Sequence, residues 1–192
     1  RRQKPQLHRD APRPSGTIEK LERQILKRRL AAQPPDSELK ARTAEEVLKT
    51  APDDRDALSA LAWYRFQRGE HEDAERLFAV LSQQDPADKD VALGLGYARL
   101  NSGRIDTALD PLDRGRIAED AETRKLRELV YRQQAGRAYG AEDWDTAAAY
   151  LDKLLSLNPA DLDAQELLAW TRLRQDRRTE ARALMEEGFA ER

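Results

Sequence analysis

Residues 52–58 read Pro-Asp-Asp-Arg-Asp-Ala-Leu, and residues 86–92 read Pro-Ala-Asp-Lys-Asp-Val-Ala. The two prolines are 34 residues apart, and Pro159-Ala160-Asp161-Leu162-Asp163-Ala164 returns 73 residues after Pro86, two periods and five residues on. Proline stops one helix, Asp85 or Asn158 before it forms a turn, and the aspartates after it open the next helix. A second landmark keeps the same time. Ala74, Ala108, Ala147 and Ala181 are spaced by 34, 39 and 34 residues, and each precedes a large apolar residue by four: Phe78, Leu112, Leu151 and Met185. One period with one five-residue insertion explains both sets, and a period of this length signals a stack of identical helical units.

Within a unit the apolar residues fall at three-and-four spacing, as in Leu58, Leu61, Ala62 and Phe66, then Ala74, Leu77, Phe78 and Leu81. That is the stripe of a helix with one buried face. Gly69 and Gly103 separate the two stripes in the first two full units, with Asp143 and Asp176 near the equivalent places in the others. Each unit therefore reads helix, turn, helix.

These residues resemble the tetratricopeptide repeat family. Its pattern is matched by Leu58-x2-Leu61-Ala62, Ala74-x3-Phe78 and Pro86, then by Leu95-Gly96 with Ala108-x3-Leu112. Ala135, Ala147-x3-Leu151 and Pro159 continue it, followed by Leu168-Ala169 and Ala181-x3-Met185. The resemblance implies an all-α solenoid of helix-turn-helix units wound as a right-handed superhelix. Four repeats are expected over 53–86, 87–125 with the insertion, 126–159 and 160–192, preceded by a degenerate helix pair over 17–52. It also implies that first helices line a concave groove where partners bind. The groove candidates are Ser59, Trp63, Phe66, Leu93, Tyr97, Arg132, Tyr139, Glu166 and Trp170.

Two columns depart from the family pattern. A run of small residue, aromatic, any residue, Arg and large apolar residue recurs as Ala62-Trp63-Tyr64-Arg65-Phe66, Gly96-Tyr97-Ala98-Arg99-Leu100 and Ala169-Trp170-Thr171-Arg172-Leu173. Residues two apart on a helix do not share a face, so aromatic and arginine serve different surfaces. The aromatics Trp63, Tyr97 and Trp170 either anchor a partner in the groove or pack between repeats. The arginines are expected to pair with a carboxylate of the adjoining helix. Pro111 falls inside an expected second helix, so a kink or a lengthened helix is expected over Asp110 to Lys125.

Composition narrows the function. Charged residues make up 36% and hydrophobic ones 39%, enough for core stripes in a thin, well-solvated helical body. The chain has no cysteine and two histidines, which removes thiol nucleophiles, disulfides and cysteine-held metals. His8 and His71 have no partner at metal or triad spacing. Gly94-Leu95-Gly96 lies within a helix stripe and follows no strand, so it makes no phosphate loop. No catalytic residue, metal or cofactor is expected. Residues 1–32 carry a charge of +7 and the remainder −9, and 1–16, with three prolines, reads as a flexible basic linker. Nucleic acid is not an expected partner of a chain with net charge −2. No apolar run is long enough to span a membrane, although a preceding segment missing from this sequence could tether the chain. Arg outnumbers Lys 26 to 8, as GC-rich bacterial coding produces.

The expected function is a non-enzymatic scaffold that binds a peptide or protein partner. The Arg-rich style with Asn-Pro-Ala-Asp turns is similar to repeat domains of bacterial envelope assemblies for exopolysaccharide synthesis and export, where the partner would be another subunit. The expected site is the envelope, on the periplasmic or cytoplasmic side of the inner membrane. Direct polysaccharide binding by the groove aromatics and a cytochrome c biogenesis chaperone are the alternatives. The carboxylate clamp for C-terminal peptides needs Lys and Asn on the groove face. First helices offer Ser59, Trp63, Leu93, Tyr97, Glu166 and Trp170 instead.

The small residues of the repeat set the distance between helix axes. Ala147→Leu is therefore expected to overpack its pair and lower stability by roughly 1–3 kcal/mol, read as a reduced urea midpoint.

Overall fold

The computed structural model describes residues 15–35 and 37–190, with side chains described from 19 to 186. The linker expected over 1–16 lies outside these residues, apart from Ser15 and Gly16 at the start of the first helix. In chain order the elements are α1 (Ser15–Ala32), α2 (Glu38–Thr50), α3 (Arg55–Gln67), α4 (His71–Gln84) and α5 (Lys89–Asn101). A 3-10 turn (Ile105–Thr107) and α6 (Asp110–Arg114) follow, then α7 (Ala121–Gly140), α8 (Trp144–Leu157), α9 (Leu162–Arg174) and α10 (Arg178–Ala190). No strand occurs among the described residues. Helices pack on their neighbours in chain order, so the all-α solenoid is what the sequence adopts.

The aspartate two residues after each repeat proline caps a helix, and Asp120 does the same in the unit that lacks the proline. Asp54, Asp88, Asp120 and Asp161 accept hydrogen bonds from the backbone N–H groups of Ala57, Val91, Thr123 and Ala164 at 3.2, 3.0, 3.0 and 3.1 Å. Each satisfies a donor that the first helical turn leaves free, a contribution of about 1 kcal/mol. Each cap also takes a cation from the first helix of the preceding pair: Lys27 on Asp54 at 2.5 Å, Arg55 on Asp88, Lys89 on Asp120 and Arg132 on Asp161. Local capping and coupling between units thus use the same carboxylate.

The arginine column couples units on another side. Arg65 meets Glu45 of α2 at 3.0 Å, Arg99 meets Glu75 of α4 at 3.3 Å, and Arg172 meets Asp152 of α8 at 2.9 Å. Each joins a first helix to the second helix before it, as the sequence led one to expect. Arg99 also donates to the Thr107 carbonyl at 2.9 Å.

Hydrophobic clusters run along the stack. Leu58, Ala62, Phe78 and Leu95 hold α3, α4 and α5 together, while Leu93, Leu112, Leu126 and Val130 hold α5, α6 and α7. Ala135, Leu151, Leu154 and Leu168 hold α7, α8 and α9. Gly94 and Gly96 owe their identity to this packing. A Cβ on Gly94 would lie 2.6 Å from the Phe78 ring, and one on Gly96 would lie 2.5 Å from Leu126 and 2.8 Å from the Ala108 carbonyl oxygen.

The turn between the two helices of a pair needs a residue in the left-handed region. Gly69 (φ 77°) and Gly103 (φ 82°) supply it without a Cβ. Asp176 (φ 59°) and Glu142 (φ 60°) do the same work as L-residues. In the third unit the strained position is thus Glu142, one before Asp143, which instead caps α8 through the Thr146 N–H at 3.1 Å.

The expected kink or lengthened helix over Asp110 to Lys125 is resolved otherwise. Pro111 bends no helix, because it stands in the first turn of the new five-residue α6, where it has no intrahelical hydrogen bond to lose. The second helix of this unit is split into the 3-10 turn and α6 and ends at Gly115. A Cβ there would lie 2.2 Å from the Pro86 carbonyl oxygen. The added residues instead lengthen the next first helix: α7 has 20 residues where α3, α5 and α9 have 13.

Lys89 and the Thr123 N–H hold the Asp120 carboxyl down to about 2. A depressed carboxylate stabilises the fold above its unfolded value and loses that effect as pH falls through the folded one. The urea midpoint is expected to drop between about pH 4 and about pH 2, and less so in Asp120→Asn, which keeps a capping side chain without the charge. Glu142→Gly relieves a left-handed L-residue that costs roughly 1–2 kcal/mol against about 0.5–1 kcal/mol of added chain entropy. It is expected to raise the urea midpoint.

Candidate functional site

The face formed by first helices is built from the outer side of α1, α3, α5 and α7. On α3, Leu58 and Ala62 turn into the stack, which leaves Ser59 and Trp63 on the neighbouring face. Trp63 is only half-buried. One edge meets Phe78 (centroids 4.9 Å apart, planes at 76°) and another meets Phe66 (5.9 Å, 78°), while the rest of the indole stays accessible. The ring is thus seated on the core and keeps part of its surface accessible.

Two clefts adjoin at Trp63. One, of about 420 Å3, lies between α1 and α3 and is lined by Lys27, Leu30, Lys40, Asp56, Ser59 and Trp63 among others. The second, of about 480 Å3, is lined by Trp63, Phe66, Asp90, Leu93, Tyr97, Glu122 and Lys125. Its aromatic residues are half-buried, and its charged residues Asp90, Glu122 and Lys125 are exposed. Leu93 is 6% exposed and belongs to the core cluster of α5, α6 and α7, so it gives the floor little surface of its own. Burial, and next the Glu122 carboxylate, push the Tyr97 phenol up, so it stands in the cleft as a neutral hydroxyl. Glu122 shares Lys89 with Asp120.

Five of the nine candidates, Ser59, Trp63, Phe66, Leu93 and Tyr97, meet in these clefts. The other four lie in neither. Arg132 is committed to the Asp161 cap, and Tyr139 packs edge-on against Trp144 at 5.1 Å. Glu166 and Trp170 stand exposed on α9, and at 49% exposure Trp170 is held by little of its own structure. Lys27, Lys40, Asp56, Asp90, Glu122 and Lys125 line the clefts without having been singled out in the sequence. For Asp56 and Asp90 a signal existed: each precedes a column aromatic by two helical turns.

Elsewhere the chemistry is sparse. His71 stacks edge-on against Phe66 at 5.2 Å, with its Nδ1 buried and free of a hydrogen-bond partner among the described residues. Among the described residues no group of three His, Asp or Glu side chains is placed to hold a metal, and no helix is long and apolar enough to cross a membrane.

A tetratricopeptide repeat profile matches residues 65–129 and 138–192, and a second matches residues 41–88. Among solved structures, a MamA protein aligns at 18% identity over 91% of this chain and 92% of its own, with a TM-score of 0.54. MamA 41-end from Desulfovibrio magneticus RS-1 aligns at 21% identity over 90% and 93%, with a TM-score of 0.53. YrrB, described as a TPR protein with an unusual peptide-binding site, aligns at 15% identity over 91% and 82%, with a TM-score of 0.55. These likenesses concern the fold. No curated protein matches the sequence. With repeat profiles covering more than half of its length and the pairwise stack of helices they describe, the chain belongs to the tetratricopeptide repeat family.

Proposed function

We propose that this chain is a non-enzymatic scaffold that binds a segment of a protein partner along the face of its first helices. The observation that carries the reading is the pair of clefts meeting at Trp63, which lets one continuous segment engage α1, α3, α5 and the start of α7. Half-buried aromatics that are seated on a core and keep an accessible face are efficient anchors, because little side-chain entropy remains to be lost on binding. A solenoid that buries only nearest-neighbour interfaces also offers a large surface for its mass. YrrB, of the same fold, is described as having a peptide-binding site, which agrees with this use of the architecture.

The setting we propose is a bacterial envelope assembly such as exopolysaccharide synthesis or export, with another subunit as partner. Its support is the resemblance in repeat style alone. Direct polysaccharide binding is favoured by one observation, the exposure of Trp170.

Capture of partners from a lysate should separate these readings. Trp63→Ala is expected to weaken capture by about 2 kcal/mol, roughly thirtyfold, while circular dichroism shows the helices retained. Tryptophan quenching by polysaccharide with no protein captured would overturn the scaffold reading in favour of the glycan one.

A further inference from the structure

Three of the four junctions between helix pairs are built alike. The second helix of one pair lies along the first helix of the next: α2 along α3, α4 along α5 and α8 along α9. A four-residue turn joins the two helices. Each of these junctions also holds an ion pair whose carboxylate is withdrawn from solvent, the side chains of Asp54, Glu75 and Asp161 being 5%, 9% and 8% exposed. The junction between α6 and α7 has none of these features.

Its second helix is in two pieces of three and five residues, where α4 and α8 have 14. No continuous helix therefore lies along α7, which meets α5 and the 3-10 turn over short stretches. Six residues, 115–120, make the connection, and Arg116 among them is an L-residue at φ 50°. The arginine column skips this junction too. Arg65, Arg99 and Arg172 follow the small residues Ala62, Gly96 and Ala169 by three, whereas the residue three after Ala135 is Ala138. Outlying ion pairs cross the junction instead: Lys89 with Asp120 and Glu122, Arg127 with Asp113, and Arg137 with Asp106. Their carboxylate side chains are 43%, 68%, 63% and 65% exposed. The apolar contact centres on Leu126, which lies against Gly96.

Exposed ion pairs are individually weak and are screened by salt, and the seam with the fewest packed contacts is where a stack opens first. The cleft at Tyr97 straddles this seam. Trp63, Phe66, Asp90, Leu93 and Tyr97 come from α3 and α5, while Glu122 and Lys125 come from α7. We propose that the α6–α7 junction is an articulation, closed by exposed ion pairs and opened as salt screens them, which sets the width of the cleft at Tyr97. Leu126 against Gly96 is its pivot, and the rings of the cleft move with one half while Glu122 and Lys125 move with the other. The joint works with the cleft empty, so it does not depend on what the scaffold binds.

The chain has no cysteine, so pairs of spin labels can be placed at will. Gln67→Cys on α3 with Lys125→Cys on α7 reads the joint, and Glu46→Cys on α2 with Gln83→Cys on α4 reads a regular junction; all four positions are exposed. A turn of roughly 15°, the size of a known subunit rotation, shifts the end of a lever of about 20 Å, the length of a 13-residue helix such as α3, by about 5 Å. Raising salt from about 0.01 M to about 1 M shortens the screening length from about 30 Å to about 3 Å. Over that range the α3–α7 distance is expected to grow by about 5 Å while the α2–α4 distance holds. D106N/D113N/E122Q, which keeps the Asp120 cap, is expected to show the longer distance already at low salt, with its helices retained by circular dichroism. A constant α3–α7 distance, an equal change in the α2–α4 pair, or a folded triple variant that keeps the short distance at low salt would each overturn the proposal. Should the variant lose its helices, the salt titration of the labelled chain with its ion pairs intact decides alone.

Discussion

The close approach of helix backbones at small residues is the constraint on which the rest of the molecule depends. Ala62 and Ala74, Ala135 and Ala147, and Ala169 and Ala181 are all wholly buried, and at the remaining contact Gly96 stands almost against the Ala108 backbone. Nothing larger fits between the axes, so the crossing of each pair is fixed by what is missing from the side chain. Once the axes are set, Phe78, Leu112, Leu151 and their neighbours have only one volume to fill. The face beside that packing is what remains for Trp63 and Tyr97, which are partly buried against it.

Charge does a second kind of work in this fold. Single surface ion pairs contribute little, but here they recur in two columns at the repeat period, and both columns act between units. The aspartate caps link first helix to first helix, and the arginines link each first helix to the second helix before it. Asp54 shows the balance involved. Burial pushes its carboxyl up, and the Lys27 ammonium with the Ala57 N–H outweighs that and holds it below the usual range. A composition with more than a third of its residues charged thus contributes to registry between units as well as to solvation.

Much of this was legible from Pro52, Pro86 and Pro159 and the alanines that keep their time, because a repeat states its own period and each copy checks the last. The arginine pairs were legible too, since a cation that recurs at the repeat period beside a helix seam calls for a carboxylate on the adjoining helix. The junction after Asp110 was not. Proline inside an expected helix signals a break but does not say whether the helix bends or ends, and that was decided by Gly115 packed against the Pro86 carbonyl, a contact distant in sequence. The strain at Glu142 escaped notice for a similar reason, as nothing in a glutamate announces a left-handed backbone. In the site, the aromatics stood out by type, whereas Lys27, Lys40 and Lys125 became part of the clefts only when helices from different units were brought side by side.

The lengthened α7 has a geometric consequence. Its 20 residues exceed the 13 of its counterparts by seven, close to two whole turns, so the extension adds about 10 Å of rod with only some 20° of rotation. Leu126 and Val130 can therefore serve the units before it and Ala135 those after it from a nearly continuous stripe. One long helix thus closes two hydrophobic clusters: its first half, with Leu126 and Val130, completes the cluster of α5 and α6, and its second half, with Ala135, completes that of α8 and α9, so a break in the middle of α7 would separate the two halves of the stack.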